Sequence, residues 1–196
     1  MTFIESGLEF HFNGEWNVQK YDAHRYYQGL SGAGLKAVDF IGILRDRKVV
    51  FLEVKNYRIR FSALSEPPIQ PILNDPGLLA GAVARKVEHS LLAIDAIRQA
   101  FQRRWSYRLF FPFIRNWPRL NTDWTFWSRV YDLVQDSQNI QVALWMETEE
   151  PLPQVRRQLH TYLSKGVDEI TAKVAVIRHD DHPFGPSLQT RPVIAH

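Results

Sequence analysis

Residues 38–57, VDFIGILRDRKVVFLEVKNY, decide the fold. Two apolar runs flank the polar residues Arg45, Asp46, Arg47 and Lys48, so the stretch reads as two strands joined by a tight turn. In the second strand the period of two sends Glu53 and Lys55 to one face and Val50, Leu52 and Val54 to the other. A strand so rich in Val, Phe and Leu belongs at the centre of a sheet. Charges at its end need a ligand, a partner or water to offset their desolvation.

Upstream, residues 8–12 alternate apolar and polar, Asn13-Gly14 is a two-residue hairpin signal, and residues 16–18 resume the alternation. An N-terminal hairpin is expected there. Asp22 precedes a short helical pattern through Tyr26, Tyr27 and Leu30, closed by a Gly-rich turn at residues 31–34. Downstream, residues 62–75 form a polar loop with Pro67, Pro68 and Pro71, too long for a simple connection and suited to a substrate-facing flap.

Asp75-Pro76 then starts a long helix, whose stripe of Leu79, Val83, Val87, Leu91, Ile94, Ile97 and Phe101 runs for about six turns. Residues 107–114 read as a strand, and 122–135 as a helix with Trp124, Trp127, Tyr131 and Val134 on one face. A strand at 140–146, a helix at 152–165, a strand at 173–177 and a loose tail from His179 complete the chain. This order predicts an α/β fold with a mixed sheet: antiparallel pairs first, parallel neighbours later. All 196 residues read as one domain, with a core over about 15–115 and a C-terminal strand–helix extension of the same sheet.

Composition narrows the chemistry. Cysteine is absent, so disulfides and thiolate metal sites are excluded and any metal must be held by oxygen or imidazole. The first ten residues lack the pattern of a signal peptide and no segment reaches transmembrane length, so a cytoplasmic protein without a membrane partner is expected. The net charge is +3, and 17 of the 24 basic residues are Arg, the side chain suited to bidentate phosphate contacts.

Asp39 lies 14 positions before Glu53, a distance that strand, turn and strand can fold back on itself. Two converging carboxylates suit a hard cation such as Mg²⁺, which keeps several waters and is commonly held by one or two carboxylates plus substrate phosphate. Lys55 adds a positive charge at the same mouth. Such a site can acidify and orient an attacking water and offset the charge that builds on phosphate oxygens. By chance alone about 0.75 acid-x-Lys triplets arise from 21 acids and 7 lysines in 196 positions, so placement on a buried strand is what gives this triplet weight.

Asp39, Glu53 and Lys55 together resemble the signature of the PD-(D/E)XK nuclease superfamily, an acid on one strand followed by acid, any residue, lysine on the next. Val38 stands where the nominal proline would be. The resemblance covers roughly residues 22–101. It implies a restriction-endonuclease-like fold, with helices before and after the catalytic strands, and Mg²⁺-dependent hydrolysis of nucleic acid, DNA before RNA, with Mn²⁺ as a substitute. The metal ligands would be Asp39, Glu53 and the carbonyl of Val54. Lys55 would position the water and stabilise the transition state. A further acid on the first helix is frequent in the family, for which Asp22 or Glu15 is the counterpart. The alternative is a catalytically inactive module of the same fold that binds nucleic acid or a protein, and a homodimer is left open.

Other features read as bland. Trp124 and Trp127 are expected in the core, leaving Trp117 as the better base-stacking residue, with Arg115 and Arg119 interleaved. Arg156 and Arg157 could meet a DNA backbone, and one of Lys86, Glu88 and His89, off the stripe of the long helix, could supply an auxiliary contact to phosphate, but a solvated face is the default for all five. The run His179-Asp180-Asp181-His182 has metal-ligand residue types but lies in the tail, without fixed geometry.

Overall fold

The computed structural model describes residues 1–32, 34–58, 69–115 and 122–193. Its elements, in chain order, are β1 (Thr2–Glu5), β2 (Leu8–Phe12), β3 (Trp16–Lys20), α1 (Arg25–Ser31), β4 (Phe40–Leu44), β5 (Lys48–Asn56), α2 (Gln70–Asn74) and α3 (Pro76–Arg103). They continue with α4 (Trp105–Arg115), α5 (Asp123–Val134), β6 (Ile140–Glu147), α6 (Pro153–Gly166), β7 (Val174–Ile177) and β8 (Leu188–Pro192). The fold is α/β with two sheets. A five-stranded sheet runs in the order β3-β4-β5-β6-β7, and a three-stranded sheet in the order β1-β2-β8.

In the larger sheet β3, β4 and β5 form an antiparallel meander, while β5, β6 and β7 are parallel, with α2 to α5 in the first crossover and α6 in the second. The expected mixed sheet is therefore present. Its two faces bury different cores. Ile41, Ile43, Val49, Phe51, Val142 and Leu144 pack beneath the helices, with Val83, Val87, Ile94 and Trp127 opposite them. Phe40, Val50, Leu52, Val54, Ala143 and Trp145 pack beneath the smaller sheet, against Leu8, Phe10 and Phe12. Because both faces are covered, β5 and β6 are apolar almost throughout rather than alternating.

Three expectations are corrected. Asn13-Gly14 does not join a hairpin: β2 pairs with β1 and β8, and β3 pairs with β4 in the other sheet. The apolar faces of β2 and β3 meet across the inter-sheet core, where Phe12 packs edge-on against Trp16 with ring centroids 5.4 Å apart. As hairpin neighbours both faces would have pointed the same way and needed a third layer to cover them. The N-terminal hairpin is instead β1–β2, turning at Ser6 (φ 51°) and Gly7 (φ 72°), the paired left-handed geometry of a two-residue hairpin loop.

Residues 107–114 belong to helix α4. Tyr107 and Phe111, four apart, stack with centroids 4.4 Å apart, and Tyr107 also meets Phe101 and Trp124. The tail is also built into the fold, since β8 pairs along the whole of β2 and Trp16 donates to the Ser187 hydroxyl at 3.0 Å. Of the flap region, residues 69–75 include the short helix α2, and residues 59–68 lie outside the described residues. Trp117 and Arg119 lie outside them as well. No helix among the described residues is long and apolar enough to cross a membrane.

Candidate functional site

The register of the central meander builds the site. Phe40 pairs with Leu52 and Ile41 with Phe51, so Asp39, one residue before β4, stands opposite Glu53. Alternation puts both acids on the helix-facing side, together with Ile41 and Phe51 and away from Phe40, Leu52 and Val54. Three anchors hold the entry to β4. Tyr21 N–H donates to the Asp39 carbonyl at 2.8 Å, Val38 N–H donates to the Ser90 hydroxyl at 3.3 Å, and Lys36 N–H donates to His89 Nδ1 at 3.0 Å. His89 and Ser90 lie on α3, so this helix fixes the strand that carries Asp39.

Both carboxylates are buried, Asp39 at 7% exposure and Glu53 at 1%. Asp39 Oδ2 accepts the Val54 N–H at 2.7 Å. Glu53 is met by two ammonium groups: Lys55 Nζ lies 2.6 Å from Oε1, and Lys86 Nζ lies 2.7 Å from Oε1 and 2.9 Å from Oε2. Lys86 also lies 3.9 Å from Asp39 Oδ1. One cation thus sits between two acids on adjacent strands.

Burial and, after it, the charge of Glu53 push the Asp39 carboxyl up to about 7, against the Val54 N–H and the lysines, which favour its ionised form. For Lys86 burial opposes the charge, but the charge and hydrogen bonds of Glu53, joined by Asp39 and Asp22, outweigh it and raise the ammonium above its ordinary value. Burial likewise raises the phenol of half-buried Tyr57, with Glu53 adding to the effect. A carboxyl near neutrality beside a second carboxylate is a group poised to change charge when a cation arrives.

The structure brings Asp39, Glu53 and Lys55 together, as the sequence led us to expect. The N–H of Val54 holds Asp39, and its side chain lies in the inter-sheet core. Asp22 is half-buried, with its carboxyl raised by burial and lowered in part by Lys20 and Lys86; its Oδ1 is buried without a hydrogen-bond partner among the described residues. Glu15 is corrected away from the site. It pairs with Arg45 at 2.7 Å, beside the β4–β5 turn and at the opposite end of the meander.

Lys86, read by default as solvent-exposed and at most an auxiliary phosphate contact, instead lies between the two acids. It lies three positions after Val83 and four before Ser90, both buried, so it sits on the side of α3 that faces the sheet. In the sequence only its place at the margin of the apolar stripe, three positions after Val83, pointed this way. His89 also departs from expectation, as a cap on the chain before β4, whereas Glu88 is exposed.

His179 and its neighbours are tied into the fold by ion pairs and hydrogen bonds. His179 Nδ1 donates to Glu147 Oε2 at 2.8 Å, Asp181 pairs with Arg156, and Arg178 N–H donates to Asp181 at 2.7 Å. Among the described residues no group of three or more His, Asp or Glu is placed to hold a metal ion. The remaining donor set is the pair Asp39 and Glu53, two hard oxygen ligands turned toward a shared cation. That set fits Mg²⁺ or Mn²⁺, provided that Lys86 yields its place between them. Set against models of protein families, curated proteins and solved structures, the chain matches none.

Proposed function

We propose that the chain is a Mg²⁺-dependent nuclease of PD-(D/E)XK type that hydrolyses phosphodiester bonds of DNA. The reading rests on one observation: Asp39 and Glu53 sit opposite each other on antiparallel strands, on one face, with the Lys55 ammonium 2.6 Å from Glu53. The sheet supports it too. A helix stands before the β4–β5 pair, a mixed sheet surrounds it, and a long helix follows, the parts of a restriction-endonuclease-like fold.

In this reading Asp39, Glu53 and the carbonyl of Val54 hold the divalent ion. When bound, that ion supplies Lewis-acid activation of water and charge stabilisation at phosphorus. The chain's own residues supply the rest. The Val54 N–H fixes the Asp39 carboxylate, and Glu53 aims Lys55, which orients the attacking water and faces the charge that develops on the phosphate oxygens. Lys86 acts as a placeholder that keeps the two acids from repelling each other until the ion arrives. Purified protein is expected to cut DNA with Mg²⁺ or Mn²⁺ and not with EDTA. Glu53→Ala and Lys55→Ala cutting as fast as the parent would contradict these roles.

One observation favours a second reading. Two lysines already neutralise Glu53, and one of them occupies the place between the acids, as suits an inactive module of the same fold that binds nucleic acid without turnover. Salt-sensitive DNA binding that ignores metal would support it, whereas a calorimetric Mn²⁺ signal lost in Asp39→Ala supports the enzyme.

A further inference from the structure

Helix α4 is apolar on both sides. Its inner side buries Tyr107, with Phe111 stacked on it. Its outer side carries Trp105, Leu109 and Phe113, four residues apart and within about 80° of arc. They are 74%, 54% and 74% exposed, and Phe110 beside them is 50% exposed. A helix on a protein surface should turn charge outward, and a ridge of this kind is unusual unless something covers it.

The charge around the ridge indicates what that is. Between Asp95 and Asp123 the chain carries six arginines and no acid. Arg103, Arg104 and Arg108 are exposed, and among the described residues none of the three has a carboxylate within ion-pair distance. Elsewhere Arg25, Arg45, Arg156 and Arg191 each have one, while the exposed Arg47, Arg85 and Arg157 have none either; what sets this segment apart is three such arginines next to an apolar ridge. Guanidinium groups without counter-charge, bordering exposed Trp, Leu and Phe, are the composition of a helix that lies in a membrane interface, with its apolar side among acyl chains and its cations at anionic headgroups.

Other occupants fit less well. Two copies meeting through this face would bring the same arginines together across a two-fold axis. Nucleic acid would use the arginines and rings but not Leu109, and among the described residues side chains this exposed have no wall against which to clasp a base.

We propose that the outer face of α4 docks the protein on an anionic lipid surface, lying on the bilayer rather than spanning it. This contact differs from the membrane-free partner set that the sequence suggests and is independent of the catalytic reading.

Sedimentation with vesicles tests it. Phosphatidylcholine vesicles containing about one-third phosphatidylglycerol should carry the parent down, and phosphatidylcholine alone should not, with binding weakened by salt. Trp105→Ser with Phe113→Ser should lower vesicle affinity by at least about tenfold, and Arg103→Gln, Arg104→Gln and Arg108→Gln together should do the same. The thermal midpoint should stay unchanged, because these side chains are exposed. The proposal is overturned if the parent stays in the supernatant with anionic vesicles, or if both variants sediment like the parent. It is equally overturned if the parent is a dimer that Trp105→Ser with Phe113→Ser converts to a monomer, since a second copy would then cover the face.

Discussion

Two glutamates, equally buried, lie on neighbouring parallel strands and face opposite sides of the sheet: Glu53 on β5, beneath the helices, and Glu147 at the end of β6, on the side of the small sheet. Around Glu147 every lone-pair direction meets a fixed donor. Its Oε1 accepts from Trp145 Nε1 at 2.9 Å and His179 N–H at 2.8 Å, and its Oε2 accepts from Arg58 at 3.0 Å and His179 Nδ1 at 2.8 Å. Around Glu53 the partners are two lysine ammonium groups on flexible stems, and the carboxyl of its neighbour Asp39 keeps only one short hydrogen bond among the described residues. Burial is the same, but the capacity for chemistry is not. Backbone, indole and guanidinium donors close a site, whereas ammonium ends can move aside for a cation or a phosphate.

The largest effect should come from the closed site. Glu147→Ala leaves the Arg58 guanidinium, 13% exposed, without its counter-charge, and should cost about 3–5 kcal/mol of stability in urea unfolding. If the variant unfolds like the parent, Glu147 does not clasp Arg58 and His179 to the sheet. At the open site the loss should fall on activity. Glu53→Ala and Lys55→Ala should each lower Mn²⁺-supported DNA cleavage by about a hundredfold or more while the fold survives in circular dichroism.

Lys86→Met sharpens the contrast further, since it removes the cation that competes for the two acids. Mn²⁺ affinity in calorimetry should rise by about tenfold, because an ammonium no longer has to be displaced. An unchanged affinity would mean that Lys86 and the metal do not share a place. The smallest effect is one of pH. A carboxyl raised from 3.8 to about 7 in the folded state binds more protons than in the unfolded chain between those values. Stability contributed by Asp39 is therefore lost as pH rises from about 4 to about 7. Asp39→Asn, which still accepts the Val54 N–H, should raise the thermal midpoint at pH 8 by about 3–6 °C and leave it unchanged at pH 4.

The convergence of Asp39, Glu53 and Lys55 was legible in the sequence because all three lie within one meander. A period of two fixes the face of Glu53 and Lys55, and a short turn brings Asp39 opposite. Lys86 escaped because, at the margin of an apolar helical stripe, pattern alone does not separate a lysine reaching into the sheet from one in water. Glu147 escaped because its partners, Arg58 and His179, lie 89 and 32 positions away, and no local pattern links them. Alternation in β2 and β3 marked which faces are apolar but not which strands share hydrogen bonds, so two sheets read as one hairpin. In α4 the stretch from Leu109 to Ile114 is apolar and rich in Phe, which favours strand locally, and Arg108 and Arg115, which mark the helical period, lie seven positions apart at its margins.

A crystal soaked with Mn²⁺ puts the assignment of Asp39 and Glu53 to its hardest test. Anomalous density between the two carboxylates, with the Lys86 ammonium moved out from between them, is the expected result. Lys86 still bridging both acids in a crystal whose Mn²⁺ lies elsewhere would contradict a shared metal site and leave the binding module as the better description.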